Sequence, residues 1–363
     1  MSVMNIKSKI RNFKVIFVNN FDFVEELLKT PYYDVVVGSN VYSLYKKAIF
    51  SKFPKERLII LKLEEEKKTL ETVIKIYKKL LKRSAKKNLT LISFGGGLNQ
   101  DVTGFVASTL YRGINWIFVP TTLLAMSDSS IGLKTSLNLK SYKNILGTFF
   151  PPNEIFINVD FLKTLPKKDY YSGIGEVIKL LLMEDDSSNE LSEIRDKINK
   201  LKLSKDSKII LDIIKESIKI KLSYMEGDEF DKGRRNLLNY GHELGHALES
   251  ASGFNIPHGL AVLIGIVFAN YVSLKRKWLE RSIFDYINNK LILPTIMDSR
   301  VGLSKEYFNK NLLLENIKKD KKRISEKLVL VLPKNNLKLC KIQDLEFWEF
   351  EEGLKGLKNI LKI

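Results

Sequence analysis

With 363 residues, 44% of them hydrophobic and 28% charged, the chain is long enough for two domains and has the composition of a globular protein, not of a disordered or fibrous one. Its formal net charge of +18 comes from lysines spread along the whole chain and not gathered into an aromatic-interleaved patch, which argues against nucleic acid and for a solvated cationic surface that attracts anions. Cys340 is the single cysteine, so an intrachain disulfide and a cysteine metal knuckle are both excluded.

The N-terminal stretch MSVMNIKSKIRNFKVIFVNN has basic residues but no sustained apolar segment or small-residue cleavage site. KVIFVNN (14–20), DVVVGSN (34–40) and RLIILKL (57–63) read as strands closed by turn residues. A helix is predicted over 69–87, with Leu70, Val73, Ile74, Ile76, Tyr77, Leu80 and Leu81 on one face. LTLISFGGG (89–97) is a buried strand running into glycines, followed by a helix over 102–111 and a strand at WIFVP (116–120). Strand and helix in alternation predict an open, Rossmann-like parallel sheet. After about residue 160 the pattern turns to long amphipathic stretches, such as 208–225 and 236–251, with one strand-like run, LVLVLP (328–333). The expected fold class is therefore α/β plus all-α, with domains 1–160 and 161–363. The longest apolar run, 260–272, is interrupted by Gly265 and Asn270 and falls short of the roughly 18 residues of a membrane span. No membrane is expected, and a cytoplasmic location is.

Two motifs carry chemistry. Gly95, Gly96 and Gly97, at a strand-to-helix turn ending at Asp101, permit close backbone approach and offer helix N-terminal amides to a phosphate or pyrophosphate, although the string is not GxGxxG. The other motif gathers every histidine of the chain, His242, His246 and His258, into NYGHELGHALESASGFNIPHGLAV. Four residues apart on a helix, His242 and His246 share a face and read, on spacing alone, as a pair of metal ligands. HELGH is also the HExxH string of zinc proteases, a reading that leaves the nucleotide-binding half unexplained.

Taken together, FGGGLNQDVTGFVASTLYRG, MSDSSIGLKTSLNLKSYKN, SGIGEVIK, GDEFDKGRRNLLNYGHELGHALE and PHGLAV resemble the 3-dehydroquinate synthases and their sugar-phosphate cyclase relatives, collinearly from about residue 36 to 332. The resemblance implies an N-terminal NAD-binding domain and a C-terminal helical domain, with a zinc or cobalt ion and an anionic sugar phosphate in the cleft between them. It places the metal on Glu176, His242 and His258, and makes His246 a substrate contact, which departs from the pairing read from spacing. It further implies Lys134, Asn144, Asn239 and Lys321 near the substrate phosphate, Lys179 at its hydroxyls, and Lys221 with Arg235 at its carboxylate. Asp128 falls near the nicotinamide, and Arg112 reaches a neighbouring subunit's site in a homodimer. The NAD set comprises Asn40, Glu65, Lys68, Gly95, Gly96, Gly97, Asp101, Thr121, Thr122, Lys134, Lys143, Phe161 and Thr164.

The chain departs from the family's pattern at several positions: Gly38 in place of a ribose-binding aspartate, Gln100, Leu133 and Ser136 in place of glycines, Asp231 in place of a glutamate, and Leu260 in place of the glutamate of HGEAV. The implied reaction is self-contained redox, in which NAD oxidises a secondary alcohol, phosphate is eliminated, hydride returns, and an intramolecular aldol step closes a carbocycle. The leading expectation is a 3-dehydroquinate synthase acting on 3-deoxy-D-arabino-heptulosonate 7-phosphate. The alternatives are a sister cyclase making 2-deoxy-scyllo-inosose or acting on a sedoheptulose phosphate, and an NAD- and metal-dependent polyol dehydrogenase.

Overall fold

The structure is a computed structural model that describes residues 1–83, 86–140, 142–184, 190–319 and 328–363. Lys321 lies outside the described residues. The chain divides into two compact units, Met1–Leu165 and Pro166–Ile363.

The first unit contains strands β1 (Ser2–Ile6), β2 (Phe13–Phe17), β3 (Tyr33–Gly38), β4 (Leu58–Leu61), β5 (Thr90–Gly95), β6 (Asn115–Pro120), β7 (Lys134–Leu139), β8 (Tyr142–Phe149) and β9 (Glu154–Ile157). Seven of them form a sheet in the order β1-β2-β9-β6-β5-β3-β4. All neighbours pair in parallel except the edge strand β1, which is antiparallel to β2. Strands covered on both faces must be apolar throughout, which explains the unbroken runs Val35 to Val37 in β3 and Phe118 to Val119 in β6, all fully buried. β7 and β8 form a separate antiparallel hairpin.

The five strands expected in this unit are present as β2 to β6, with ends shifted by a few residues. Differences lie in the helices. The predicted helix 69–87 is Leu70–Lys82, and Ile74 and Leu81 are 47% and 55% exposed, so its buried stripe narrows to Val73, Ile76 and Leu80. The helix expected at 102–111 is Gly97–Thr109 and starts directly on the glycine turn, because the turn's own backbone already supplies its first turn. The hairpin and the strands β1 and β9 carry no long apolar run, and periodicity alone does not reveal them.

In the second unit the long helices are Lys167–Leu182, Leu191–Leu203, Ser207–Met225, His242–Ala251, His258–Lys275 and Phe347–Leu361. It is helical but not entirely so, since β10 (Leu328–Pro333) and β11 (Leu339–Leu345) pair as an antiparallel hairpin. The continuous helix expected over 236–251 is broken: Arg234–Asn239 is a short 3-10 turn, Gly241 takes φ 77°, and the α-helix begins at His242. A left-handed residue cannot continue an α-helix, and glycine adopts that conformation without strain.

His258–Lys275 has 18 residues and a mean hydropathy of 1.4, long and apolar enough to cross a membrane, yet 78% of it is buried within the protein. Its apolarity is that of a core helix. It meets Lys167–Leu182 at backbone contact: a Cβ on Gly259 would stand 1.9 Å from the Ser172 carbonyl oxygen, and one on Gly175 2.3 Å from that of Gly259. The Gly259 amide donates to Ser172 Oγ at 2.9 Å, fixing the register of the crossing. Glu176 and His258, each one residue from that contact, are thereby brought side by side.

Candidate functional site

Three elements of the second unit converge. Glu176 comes from Lys167–Leu182, His242 and His246 from the first two turns of His242–Ala251, and His258 from the first position of the core helix. One ring nitrogen from each histidine lies within 4.8 Å of the other two. Glu176 Oε1 is 3.3 Å from His258 Nε2 and 3.7 Å from His242 Nε2, in a carboxylate with no solvent exposure. That oxygen accepts no well-formed hydrogen bond among the described residues. A buried carboxylate oxygen facing two imidazole nitrogens, with no well-formed hydrogen bond to either, is an arrangement that a cation would satisfy, since a buried charge otherwise needs full compensation. Two nitrogens and one oxygen also suit zinc-like ions, with a coordination position left open for substrate.

The second nitrogen of each of these two rings is also held. His242 Nδ1 is 3.2 Å from the Tyr240 carbonyl oxygen, and a carbonyl can only accept, so Nδ1 carries the hydrogen and Nε2 the lone pair. Tyr240 is itself buried, its hydroxyl donating to Asn270 Oδ1 of the core helix. His258 Nδ1 lies 3.0 Å from Glu249 Oε2. Burial alone would raise the pKa of Glu176, but Lys179, its ammonium 2.6 Å from Oε2, and His258 outweigh it and keep the group ionised. Burial, Lys179 and the other two imidazoles hold His242 well below its ordinary value, in the neutral ligand form. Burial would also lower His258, but Glu249 and Glu176 overcome it and push it up to about 10, so a cation binding there must displace a proton.

The other expected substrate residues of this unit are built into the same scaffold. Lys179 is 2% exposed, one turn along from Glu176. Lys221 is buried on Ser207–Met225. Arg235 is 3% exposed; its amide donates to Asp228 Oδ2 at 3.0 Å and its guanidinium to the Glu229 carbonyl. Asn239 Nδ2 donates to the Asn236 carbonyl at 2.9 Å. Asp231, one of the departures, takes φ 62° in the turn before Arg235.

In the first unit the glycine turn lies at the C-terminal end of β5, beside the ends of β3 and β6, where open parallel sheets bind ligands. A Cβ on Gly95 would stand 2.5 Å from the Asn99 side chain, and one on Gly96 3.0 Å from Thr122 Cγ2. Thr121 N donates to the Gly95 carbonyl, and Thr122 caps the following short helix through Ala125 N. Next to the turn, buried Lys68 bridges Asp101 Oδ2 at 2.5 Å and Asn144 Oδ1 at 2.6 Å. Ser136 Oγ reaches the same two oxygens, while Asn138 ties Glu65 to this network. Lys143 is 4.0 Å from the Glu65 carboxylate. Asn144, expected with the phosphate residues, is thus joined to the NAD set.

Phe161 and Thr164 meet Tyr45, the ring of Phe161 at 4.9 Å and the Thr164 hydroxyl at 2.7 Å. Asn40 is exposed at the start of the helix after β3, Lys134 is exposed at the first position of β7, Asp128 follows the short helix Leu123–Ser127, and Arg112 is exposed at φ 62°. Two features escaped the sequence reading. Gln100 forms a reciprocal pair with Ser129, Nε2 to the backbone oxygen and Oε1 from the hydroxyl, both at 2.7 Å. Glu249 is the other, although its spacing from His242 and His246, i+7 and i+3, puts it on the same helix face and is visible in the string.

A parallel-sheet unit with a glycine turn and a helical unit with a carboxylate and imidazole cluster define a two-unit, α/β plus helical plan. Family profiles described as 3-dehydroquinate synthase N-terminal and C-terminal match residues 58–172 and 173–323. The 3-dehydroquinate synthase of Dictyoglomus thermophilum is 36% identical over 346 residues, covering 93% of this chain and 93% of that protein. That of Clostridium tetani is 36% identical over 335 residues, covering 90% and 84%. The chain belongs to the 3-dehydroquinate synthase family. Its fold is shared with the 2-epi-5-epi-valiolone synthase ValA of Streptomyces hygroscopicus, solved with NAD+ and Zn2+ bound, at a TM-score of 0.83 and 21% identity over 98% of this chain and 99% of that one. It is also shared with 2-deoxy-scyllo-inosose synthase complexed with carbaglucose-6-phosphate, NAD+ and Co2+, at a TM-score of 0.81 and 24% identity over 98% and 100%.

Proposed function

We propose that the chain converts 3-deoxy-D-arabino-heptulosonate 7-phosphate to 3-dehydroquinate and phosphate, using NAD and one divalent ion, zinc or cobalt, without net consumption of the dinucleotide. The observation that carries this reading is the buried Glu176 carboxylate facing His242 and His258 Nε2, in a chain 36% identical to a 3-dehydroquinate synthase over nearly its whole length.

When bound, the ion polarises a substrate hydroxyl and the ketone it becomes, and NAD takes up and returns the hydride. Glu176, His242 and His258 would hold the ion. Lys179 and His258 keep Glu176 ionised against its burial, while burial and Lys179 keep His242 neutral, so both are ready as ligands. Lys179 places a cation where negative charge develops on the substrate oxygens, and His246 is positioned on the same helix face as His242 to contact them. Lys221 and Arg235 would grip the carboxylate, for which a guanidinium fork is suited. Lys134 would neutralise the phosphate, and the departing phosphate can itself take the proton whose loss drives the elimination. In the first unit the glycine turn, Lys68 and Asp101 would seat the dinucleotide. We further infer a homodimer in which Arg112 reaches the partner's site, and a cytoplasmic enzyme.

Incubating the purified protein with NAD, zinc or cobalt, and in turn the heptulosonate phosphate, glucose 6-phosphate and sedoheptulose 7-phosphate tests the substrate. Phosphate release with the first alone is the expected outcome. Release with a neutral sugar phosphate alone would assign a sister cyclase, and steady NADH accumulation with a polyol would assign a dehydrogenase.

A further inference from the structure

We propose that Glu249 is the positioning residue of the metal centre, holding His258 through its Nδ1. This rests on the reading of Glu176, His242 and His258 as metal ligands. Position 260 is a leucine with no exposure, packed in the core, so no carboxylate follows His258 on its own helix. The carboxylate that meets His258 comes from the neighbouring helix, at the end of the face that carries His242 and His246. Its Oε2 is 3.0 Å from His258 Nδ1, and the Glu249 side chain is only 9% exposed. On the other side of the same ring, Nε2 is 3.3 Å from Glu176 Oε1.

The two sides of the imidazole therefore have different tasks. A carboxylate accepting from Nδ1–H fixes the tautomer with its lone pair on Nε2, aims the ring, and increases the electron density that Nε2 offers a cation. His242 receives only a backbone carbonyl at its Nδ1, 3.2 Å away. The two histidines thus differ in basicity by design of the second contact, and His258 is the stronger donor. Such partners typically change metal affinity by about 10- to 100-fold.

The test uses full-length wild type, Glu249→Gln, Glu249→Ala and His258→Ala, each stripped and titrated with zinc against a chromogenic chelator, with thermal melting of the metal-free forms. Because the chain holds three histidines, selective 15N-histidine labelling gives a short list of imidazole signals, and His258→Ala assigns its own. The proposal expects Glu249→Ala to lose about 10- to 100-fold in zinc affinity. Glu249→Gln, which keeps an accepting oxygen without the charge, should fall between that variant and wild type. The zinc-loaded His258 Nδ1–H signal should move upfield in both. Wild-type affinity in both Glu249 variants, with His258→Ala impaired, overturns the role of Glu249 and leaves the metal centre standing. A loss of affinity that only follows a lowered melting temperature, with the His258 signal unmoved, overturns it too. Unchanged affinity in His258→Ala instead rejects the underlying metal assignment.

Discussion

The second nitrogen of an imidazole decides what the first one can do. Here each of the two histidines facing Glu176 has that nitrogen engaged, His242 with a carbonyl and His258 with a carboxylate, so both present Nε2 to the same buried oxygen. The histidines are legible in the sequence because all three fall in one stretch, but spacing alone pairs His242 with His246, and Glu176 and the pairing with His258 enter only through the resemblance of GEVIK and PHGLAV to the family. Their partners are less legible: Tyr240 and Asn270 look like ordinary core residues until the loop before His242 folds onto the core helix. Arg235, proposed to grip the substrate carboxylate, is where substrate choice is tested most directly. It is 3% exposed and its backbone is pinned by Asp228, so its truncation removes a fixed cation without an obvious way to refill the space. Arg235→Ala should raise KM for the heptulosonate phosphate more than tenfold, the scale of about 1.4 kcal/mol or more for a lost charge-assisted contact. Steady-state kinetics with an unchanged kcat/KM would reject the carboxylate role.

At the scale of elements, Glu176 and His258 stand side by side because two helices touch backbone to backbone. Gly175 and Gly259 leave no room for a Cβ, and the contact lies one residue from both Glu176 and His258. A methyl group at position 259 would push the helices apart, and Gly259→Ala should destabilise the protein by about 1–3 kcal/mol, the usual range for overpacking. It should also weaken zinc binding, since the ligand nitrogens tolerate little displacement. Thermal melting with and without zinc checks both, and a variant with wild-type zinc affinity would show that the crossing does not set the site. Periodicity does not find this contact, because a glycine in a helix reads only as a weak propensity. The same limit explains the missed hairpin of β7 and β8. β8 is largely exposed and lacks an apolar run, and its order comes from the network of Lys68, Ser136, Asn138 and Asn144. Leu133, where the family pattern has glycine, is buried at φ 60° just before β7, a strained conformation that nothing in the string announces.

Across the whole chain, the parallel sheet of the first unit was readable because strands buried on both faces must be continuously apolar, and the helical character of the second because long amphipathic stretches have few other solutions. Of the second unit's hairpin, the apolar run LVLVLP was readable and is β10, whereas the edge strand β1, the short β9 and the half-exposed β11 were not, since short or half-exposed strands leave little pattern. The net charge of +18 also acts at this scale. An anionic substrate should be drawn toward so cationic a protein, so kcat/KM should fall as salt rises from about 0.05 to 0.5 M, over which the screening length shrinks severalfold. Initial rates at fixed pH that do not vary with salt would show that the charge is surface solvation alone.

On the proposed reading, one cation is held by a glutamate from one helix and two histidines from two others. Anomalous scattering at the zinc edge from zinc-loaded crystals addresses it directly. The expected result is a peak bonded to Glu176 and to Nε2 of His242 and His258 at about 2.0–2.2 Å. A peak elsewhere, or one bonded to His246 with Glu176 left aside, would contradict it.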